Sequence, residues 1–139
     1  ATMYLEHANI TVPNIQSTVE FLTVAFPEFK VRGSGRTPSG EGNWLHFGND
    51  DFYMALQDYD QLDNSGAPGY HDNGVNHLGW VVKDLAALVQ RLEQAGYGVY
   101  QSAEHPSRDR SYFFDGNGLE WEFIQYKSDD PNIRNDYSS

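Results

Sequence analysis

The chain says one thing twice. His7 to Ile15 reads HANITVPNI, and seventy residues later the stretch that opens at His77 reads HLGWVVKDL. In both copies a His starts a short apolar strand that ends in Val, one further residue, Asn or Asp, and Ile or Leu. The match runs on at the same offset, Val19 with Val89, Leu22 with Leu92 and Ala25 with Ala95. A fixed internal period of this kind marks a repeated supersecondary module. The chain therefore reads as two copies of a strand-helix-strands unit, each with a histidine at the equivalent place.

Taken in order, Tyr4 to Val12 is predicted as a strand, with His7, Asn9 and Thr11 on one face and Ala8, Ile10 and Val12 on the other. Asn14 caps a helix whose apolar stripe is Ile15, Val19, Leu22 and Phe26, and Pro27 stops it. Phe29 to Val31 reads as a short strand, and Arg32 to Gly42 as a turn-rich loop. Asn43 to Phe47 and Phe52 to Gln57 form a hairpin around Gly48-Asn49-Asp50-Asp51. The polar stretch Asp60 to Gly74 reads as a linker. In the second copy Asp84 caps a helix carrying Leu85, Leu88, Val89 and Leu92, which ends at Gly96. Gly98 to Ser102, Arg110 to Phe114 and Leu119 to Tyr126 are the remaining strands, the last two joined by Asp115-Gly116-Asn117-Gly118. Lys127 to Ser139 reads as a loosely held polar tail.

Each copy is thus β-α-β-β-β, with repeats at about residues 4–59 and 75–126. One strand face is apolar and covers a helix. The other carries His7, His77, Tyr53, Ala55, Gln57, Glu120, Glu122, Arg110 and Tyr112. A face lined by His, Glu, Gln, Tyr and Arg reads as the inside of a cleft. Two imidazoles and a carboxylate on a common face make a donor set that binds a divalent ion and leaves positions open.

At these residues the chain resembles the vicinal oxygen chelate superfamily, which includes glyoxalase I, extradiol dioxygenases, fosfomycin-resistance thiol transferases and bleomycin-resistance proteins. Four features carry the resemblance: the His7 strand with its helix, its repeat at His77 to Leu85, the turn Phe114 to Gly118, and the strand Leu119 to Tyr126. They cover residues 4–126. The resemblance implies an α+β fold of two βαβββ modules forming a cup-shaped, eight-stranded mixed sheet with helices outside. It implies His7, His77 and Glu122 as metal ligands, with Fe, Mn, Ni or Zn as the ion, and a homodimer that in some members exchanges modules. Where glyoxalase I places a Glu on the fourth strand, this chain has Ala55, with Gln57 two residues further on the same face. That departure points away from simple isomerisation of a hemithioacetal. Counting four residues from the last Gly of the turn selects Glu122 as ligand, and counting from Gly116 selects Glu120. Tyr112, Arg110 and Gln57 are the candidates for substrate contact, Tyr112 to a substrate oxygen and Arg110 to a carboxylate or phosphonate.

Composition narrows the partners. A net charge of −11 argues against nucleic acid, where a basic patch is expected. No window approaches the roughly 18–20 apolar residues of a membrane span, and no signal peptide is legible. Met3 behind Ala1-Thr2 reads as a native start. With no Cys there is no disulfide framework and no thiolate site, which leans toward a cytoplasmic setting. The expected partner is a small molecule.

The plainer readings stand beside these. A lone strand His is more often a hydrogen-bonded structural residue than a ligand; here the repeat places two at equivalent positions. His46, His71 and His105 lie in or beside loops and read as non-ligands, with His105 the one to revisit. Tyr53 and Tyr112 read equally well as cup-lining aromatics, Glu120 as a rim acid, and Arg110 as a surface charge. Two classes of function follow. One is a metal-dependent enzyme on a small oxygen-chelating metabolite or toxin, of lyase or isomerase, dioxygenase or thiol-transfer type. The alternative is a metal-free drug-binding protein of the bleomycin-resistance kind, which requires an apolar, aromatic cleft. Fold alone does not choose between them.

Overall fold

A computed structural model describes residues 3–62 and 67–138 and divides the chain into two compact units, Ala1–Gly66 and Ala67–Ser139. Residues 63–66 of the expected linker lie outside the described residues. The fold is α+β. Each unit holds a four-stranded mixed sheet and a helix in the order β-α-β-β-β.

The first unit contains β1 (His7–Thr11), α1 (Ile15–Ala25), β2 (Lys30–Arg36), β3 (Asn43–Gly48) and β4 (Tyr53–Gln57), with sheet order β1-β4-β3-β2. β1 runs parallel to β4, which requires the helical crossover that α1 supplies. Asn14 caps α1 by accepting from the Ser17 amide at 3.1 Å, one of the donors the first turn leaves unpaired. Thr18, Val19, Phe21, Leu22 and Ala25 are the buried helix residues, a wider stripe than the one expected, with Phe21 and Leu22 fully enclosed. From the strands, Phe47, Met54 and Leu56 are buried, as is Val12 just beyond β1.

The expected loop Arg32 to Gly42 is largely strand. β2 continues through Arg36 and pairs with β3 from Gly33 opposite His46 to Arg36 opposite Asn43, with an irregularity between Val31 and Gly33. Glycines weaken a strand by themselves, but here a large ring covers them. A Cβ added at Gly33 would stand 3.5 Å from the Trp44 ring, and at Gly35 3.1 Å from the indole nitrogen. The β3–β4 turn is made by Asn49, whose side-chain oxygen accepts from the amides of Asp51 and Phe52 at 2.9 and 3.0 Å.

The second unit contains β5 (His77–Val81), α2 (Leu85–Gln94), β6 (Gln101–His105), β7 (Arg108–Phe114) and β8 (Glu120–Tyr126), with order β5-β8-β7-β6. Asp84 caps α2 by accepting from the Ala87 amide at 3.0 Å, and Gly96, at φ +97°, follows the helix end. α2 packs on β7 and β8. Leu85, Leu88 and Leu92 from the helix are buried, as are Phe113, Trp121 and Phe123 from the strands. Asp115 builds the last turn: one carboxylate oxygen accepts from the Asn117 and Leu119 amides and the other from the Trp121 indole at 3.0 Å.

Two further expectations change. The polar stretch after Ser102 is a hairpin in which β6 reaches His105 opposite Arg108, and β7 begins two residues earlier than expected. His105 makes this turn, its Nδ1 accepting the Ser107 amide at 3.0 Å. The tail carries a short helix, α3 (Pro131–Arg134), and Arg108 reaches it. Arg108 is 7% exposed, donates to the Asp136 carbonyl at 2.8 Å and stands 5.5 Å from the Tyr137 ring centre, while Arg134 covers Tyr126 at 4.5 Å. The tail was expected to be loosely held, and these contacts tie it to β7 and β8.

Phe123→Ala should destabilise the protein by about 3–5 kcal/mol, the range for emptying a fully buried aromatic site, read by urea unfolding. Arg108→Ala should leave the sheets intact and speed hydrogen exchange at the Arg134 and Asn135 amides, measured by NMR.

Candidate functional site

Parallel pairing of the first and last strands of the second unit sets the site. β5 lies on β8 with His77 opposite Glu120 and Gly79 opposite Glu122. β7 lies on the other side of β8 with Tyr112 opposite Glu122 and Phe114 opposite Glu120. Side chains two apart on a strand share a face, so His77, Glu120, Glu122, Tyr112 and Arg110 project from one side of the sheet. Both glutamates are buried, Glu120 at 6% and Glu122 at 8% exposure.

His77 sits between the two acids. Its Nδ1 is 3.2 Å from Glu120 Oε2 and its Nε2 is 3.3 Å from Glu122 Oε1. The Asn76 side-chain oxygen lies 2.5 Å from the same Nδ1. Glu120 also accepts hydroxyl hydrogen bonds from Tyr70 on Oε2 and Tyr100 on Oε1. Glu122 has Arg110 Nε at 3.8 Å and is hydrogen-bonded by Tyr112. Arg110 Nε is buried without a hydrogen-bond partner, so its charge faces Glu122 without a formed bond.

The phenols respond to this concentration of carboxylate. Burial, followed by the hydrogen bond to Glu122, pushes Tyr112 up to about 12. Burial raises Tyr100 further, aided by its bond to Glu120, and Tyr70 is raised chiefly by its own bond to Glu120. All three remain neutral donors through the ordinary pH range.

His7 and Gln57 belong to the first unit. His7 Nδ1 meets Glu6 Oε1 at 2.8 Å, so in each repeat the residue before the histidine offers an oxygen to Nδ1. The His7 ring stacks on Tyr53, its cross-strand partner, with ring centres 4.8 Å apart. Gln57 pairs with Thr11, four residues along from the His7–Tyr53 pair, and accepts from the Asn9 side chain at 3.1 Å. Ala55, where the resemblance looks for a fourth-strand ligand, is opposite Asn9 on one side and His46 on the other.

His46 lies within β3, inside the strand expected over Asn43 to Phe47 and not in or beside a loop, on the same face as His7. It stacks on Tyr53 at 4.5 Å and lies against Trp44 at 4.8 Å, and the Arg32 guanidinium stands 4.3 Å from the Tyr53 ring centre. Burial, and then the neighbouring His7 and Arg32, lower its pKa and keep it neutral. Period-two alternation through Trp44, His46 and Gly48 was the signal for its placement. Tyr70 falls in the expected linker, where no period applies, and Tyr100, inside the strand expected at Gly98 to Ser102, stands one residue before β6. The first unit also has a pocket of about 650 Å3 between the β1–α1 turn and the strand ends bearing Arg36, Asn43 and Asp58, lined by none of the candidate residues.

Among the described residues, no three His, Cys, Asp or Glu side chains form a group placed to hold a metal ion. The reason within the second unit is geometric. Glu120 and Glu122 meet opposite nitrogens of one imidazole, so no single nitrogen of His77 faces both acids.

A family model, the glyoxalase/bleomycin resistance protein/dioxygenase superfamily, matches residues 6–114. The chain belongs to this superfamily. Solved structures similar to it include a glyoxylase/bleomycin resistance protein/dioxygenase domain from Frankia sp. EAN1pec, at 19% identity and TM-score 0.75, covering 90% of this chain and 98% of that one. Another is the trypanothione-dependent glyoxalase I of Leishmania major, at 16% identity and TM-score 0.70, covering 88% and 86%. A third is the fosfomycin resistance protein FosX of Listeria monocytogenes, in complex with Mn(II) and sulfate, at 15% identity and TM-score 0.66, covering 96% and 98%. These likenesses are of fold. No curated protein sequence matches the chain. No helix among the described residues is long and apolar enough to cross a membrane.

The raised phenols give a pH dependence with a definite sign. A tyrosine that deprotonates near its ordinary value of about 10 when unfolded and higher when folded contributes stability that is complete below that value. That contribution is lost as pH rises toward the folded value, about 12 for Tyr112. The melting temperature of metal-free protein should therefore fall across this window. The fall should be shallower in Tyr112→Phe, with ultraviolet difference titration showing the late-titrating phenol removed.

Proposed function

We propose that the protein is a divalent-metal-dependent enzyme acting on a small metabolite or toxin with adjacent oxygen donors. The observation that carries this reading is His77 Nε2 facing Glu122 Oε1 at 3.3 Å while Nδ1 faces Asn76 and Glu120. A neutral imidazole has one N–H to give. Given to Nδ1, it leaves a lone pair on Nε2 opposed to a carboxylate, an arrangement that a bound cation turns from repulsive to favourable. Donors at about 2.0–2.2 Å from one ion lie roughly 3 Å apart, so the pair fits. To these the family pattern adds His7, whose Nδ1 is engaged by Glu6 and whose Nε2 is then the donor nitrogen.

A bound ion would polarise a substrate oxygen or acidify a bound water. The chain's own groups do the rest. Tyr112, held neutral and bonded to Glu122, would turn its one O–H to a substrate oxygen once an ion takes up Glu122. Arg110, with a buried N–H unengaged, offers charge to a carboxylate or phosphonate. Gln57 is bonded to Asn9 and sits well along β4 from His7, so its contribution is to substrate contact and not to the ion. Lyase or isomerase, dioxygenase and thiol-transfer chemistry all use such an arrangement, and the metal would direct the assay.

Elemental analysis of purified protein should give about one divalent ion per chain, lost in His77→Ala and Glu122→Ala and reduced in His7→Ala. Fe would direct attention to oxygen uptake with catechols, Ni or Zn to hemithioacetals, and Mn to thiol transfer. The aromatic row of Trp44, His46 and Tyr53, with Tyr100 stacked on Phe114 in the other unit, favours the second reading, a metal-free binder of aromatic drugs. Absence of ion uptake from Fe, Mn, Ni or Zn would reject the enzyme and leave the binder.

A further inference from the structure

The site's face of β8 is divided by charge. Glu120 and Glu122 hold one end, and the next positions on the same face are Ile124 and Tyr126. Arg110 lies opposite Ile124 and Arg108 opposite Tyr126, so carboxylates at one end give way to guanidinium groups at the other. A third guanidinium arrives from outside the sheet. α3 sets Arg134 over the Tyr126 ring at 4.5 Å. Arg108, 7% exposed, moors that segment by donating to the Arg134 and Asp136 carbonyls at 3.4 and 2.8 Å. Three of the chain's nine basic side chains thus meet at one end of one face, in a protein of net charge −11.

The protein itself matches these cations poorly. Among the described residues, neither Arg108 nor Arg134 forms an ion pair with a carboxylate, and Arg110 has only Glu122, at 3.8 Å. The Nε atoms of Arg110 and Arg134 are both buried without a hydrogen-bond partner. Leaving a buried donor on a charged group without an acceptor is destabilising, and two such donors at one place point to an acceptor from outside the chain. Positions two apart on a strand are roughly 7 Å apart, so Arg110, beside Ile124, and Arg134, over Tyr126, stand within reach of one small anion. Guanidinium groups suit carboxylate and phosphate oxygens alike.

We propose that the C-terminal segment completes an oxyanion subsite: Arg110 from β7 and Arg134 from the tail each give a buried Nε–H to a carboxylate, phosphonate or phosphate group carried by the substrate. The inference rests on the reading of this face as the substrate's place, and it narrows the substrate to an anion. Arg134 is then a specificity-determining residue, held at the face by Arg108.

The test uses metal-free, 15N-labelled full-length protein at about 0.15 M ionic strength, which screens exposed charges more than buried ones. 1H–15N spectra of the arginine Nε–H groups, assigned with Arg110→Gln and Arg134→Gln, are followed as inorganic phosphate, methylphosphonate or acetate is added. The Arg110 and Arg134 signals should move together with one dissociation constant, while those of Arg32 and Arg91 stay. In Arg134→Gln the Arg110 signal should need about tenfold more anion, the loss of one hydrogen bond to a charged group. If Arg134→Gln does not fold, Arg134→Lys, which keeps the charge and lacks the Nε–H, takes its place. Arg108→Ala, which frees the tail but keeps Arg134, should weaken binding as well. Lys127→Gln should not, because Lys127 pairs at 3.4 Å with Asp109, which alternates to the opposite face of β7.

No shift at either Nε–H with any of the three anions overturns the proposal. So does binding at Arg110 that loss of Arg134 leaves unchanged, or that Lys127→Gln weakens equally. Phosphate bound without methylphosphonate or acetate makes this a site for the free ion and overturns its assignment to the substrate. Since no metal is present in the test, failure of ion uptake rejects the enzyme and leaves the anion result standing. Anion binding that fails beside normal metal uptake rejects the subsite alone.

Discussion

Everything at the site depends on a parallel strand pair. In each module the first strand lies on the last, β1 on β4 and β5 on β8, and the chain reaches that arrangement through a helix and two antiparallel strands. Parallel neighbours cannot be joined by a tight turn, so the crossover helix is obligatory and covers one sheet face. The other face is then free to carry polar groups. In the second module the register of that pair, His77 opposite Glu120, brings a strand's opening residue against the opening residue of the strand most distant in sequence. A shift of one residue would send both glutamates to the side of Trp121 and Phe123, into the apolar core. The buried aromatic row and the acidic row of β8 therefore hold each other in place.

The acids survive burial because each is matched to donors. Glu120 has two phenols and an imidazole nitrogen, while Glu122 has Tyr112, Arg110 and the far side of the same imidazole. The two are not equivalent. Glu120's donors are all supplied by the protein, so it is complete as it stands. Both acids stand at about the same distance from the imidazole, 3.2 Å for Glu120 and 3.3 Å for Glu122, and they differ in their other partners: two phenols for Glu120, one phenol and a guanidinium at 3.8 Å for Glu122.

The amount of this that is legible in the chain varies by element. Both helices and their caps follow from Asn14, Asp84 and the apolar spacing, because a capped amphipathic helix is a local object. β2 was legible only at its start, since Phe29 to Val31 reads as a strand while Arg32 to Arg36 is rich in turn residues and lies against the Trp44 ring. Of the β6–β7 hairpin both strands were legible but not the polar end where His105 meets Arg108, and the Arg108 contacts to the tail were missed because their partners are remote in sequence. In the site, the shared face of His77, Glu120, Glu122, Tyr112 and Arg110 follows from alternation. Tyr70 does not, because no periodicity governs the linker, and Tyr100 does not, because its partner Glu120 lies two strands away from the one it leads into.

By itself, then, the sequence determines the two modules, their helices, the face on which each histidine stands and the family to which the fold belongs. These are matters of period, cap and repeat, which act over a few residues or one fixed offset. Tertiary structure alone decides that His46 stacks on Tyr53, and that Glu120 and Glu122 meet opposite nitrogens of His77. Two acids on one face look interchangeable along the chain. They become different only when cross-strand register sets each against a particular edge of the same ring.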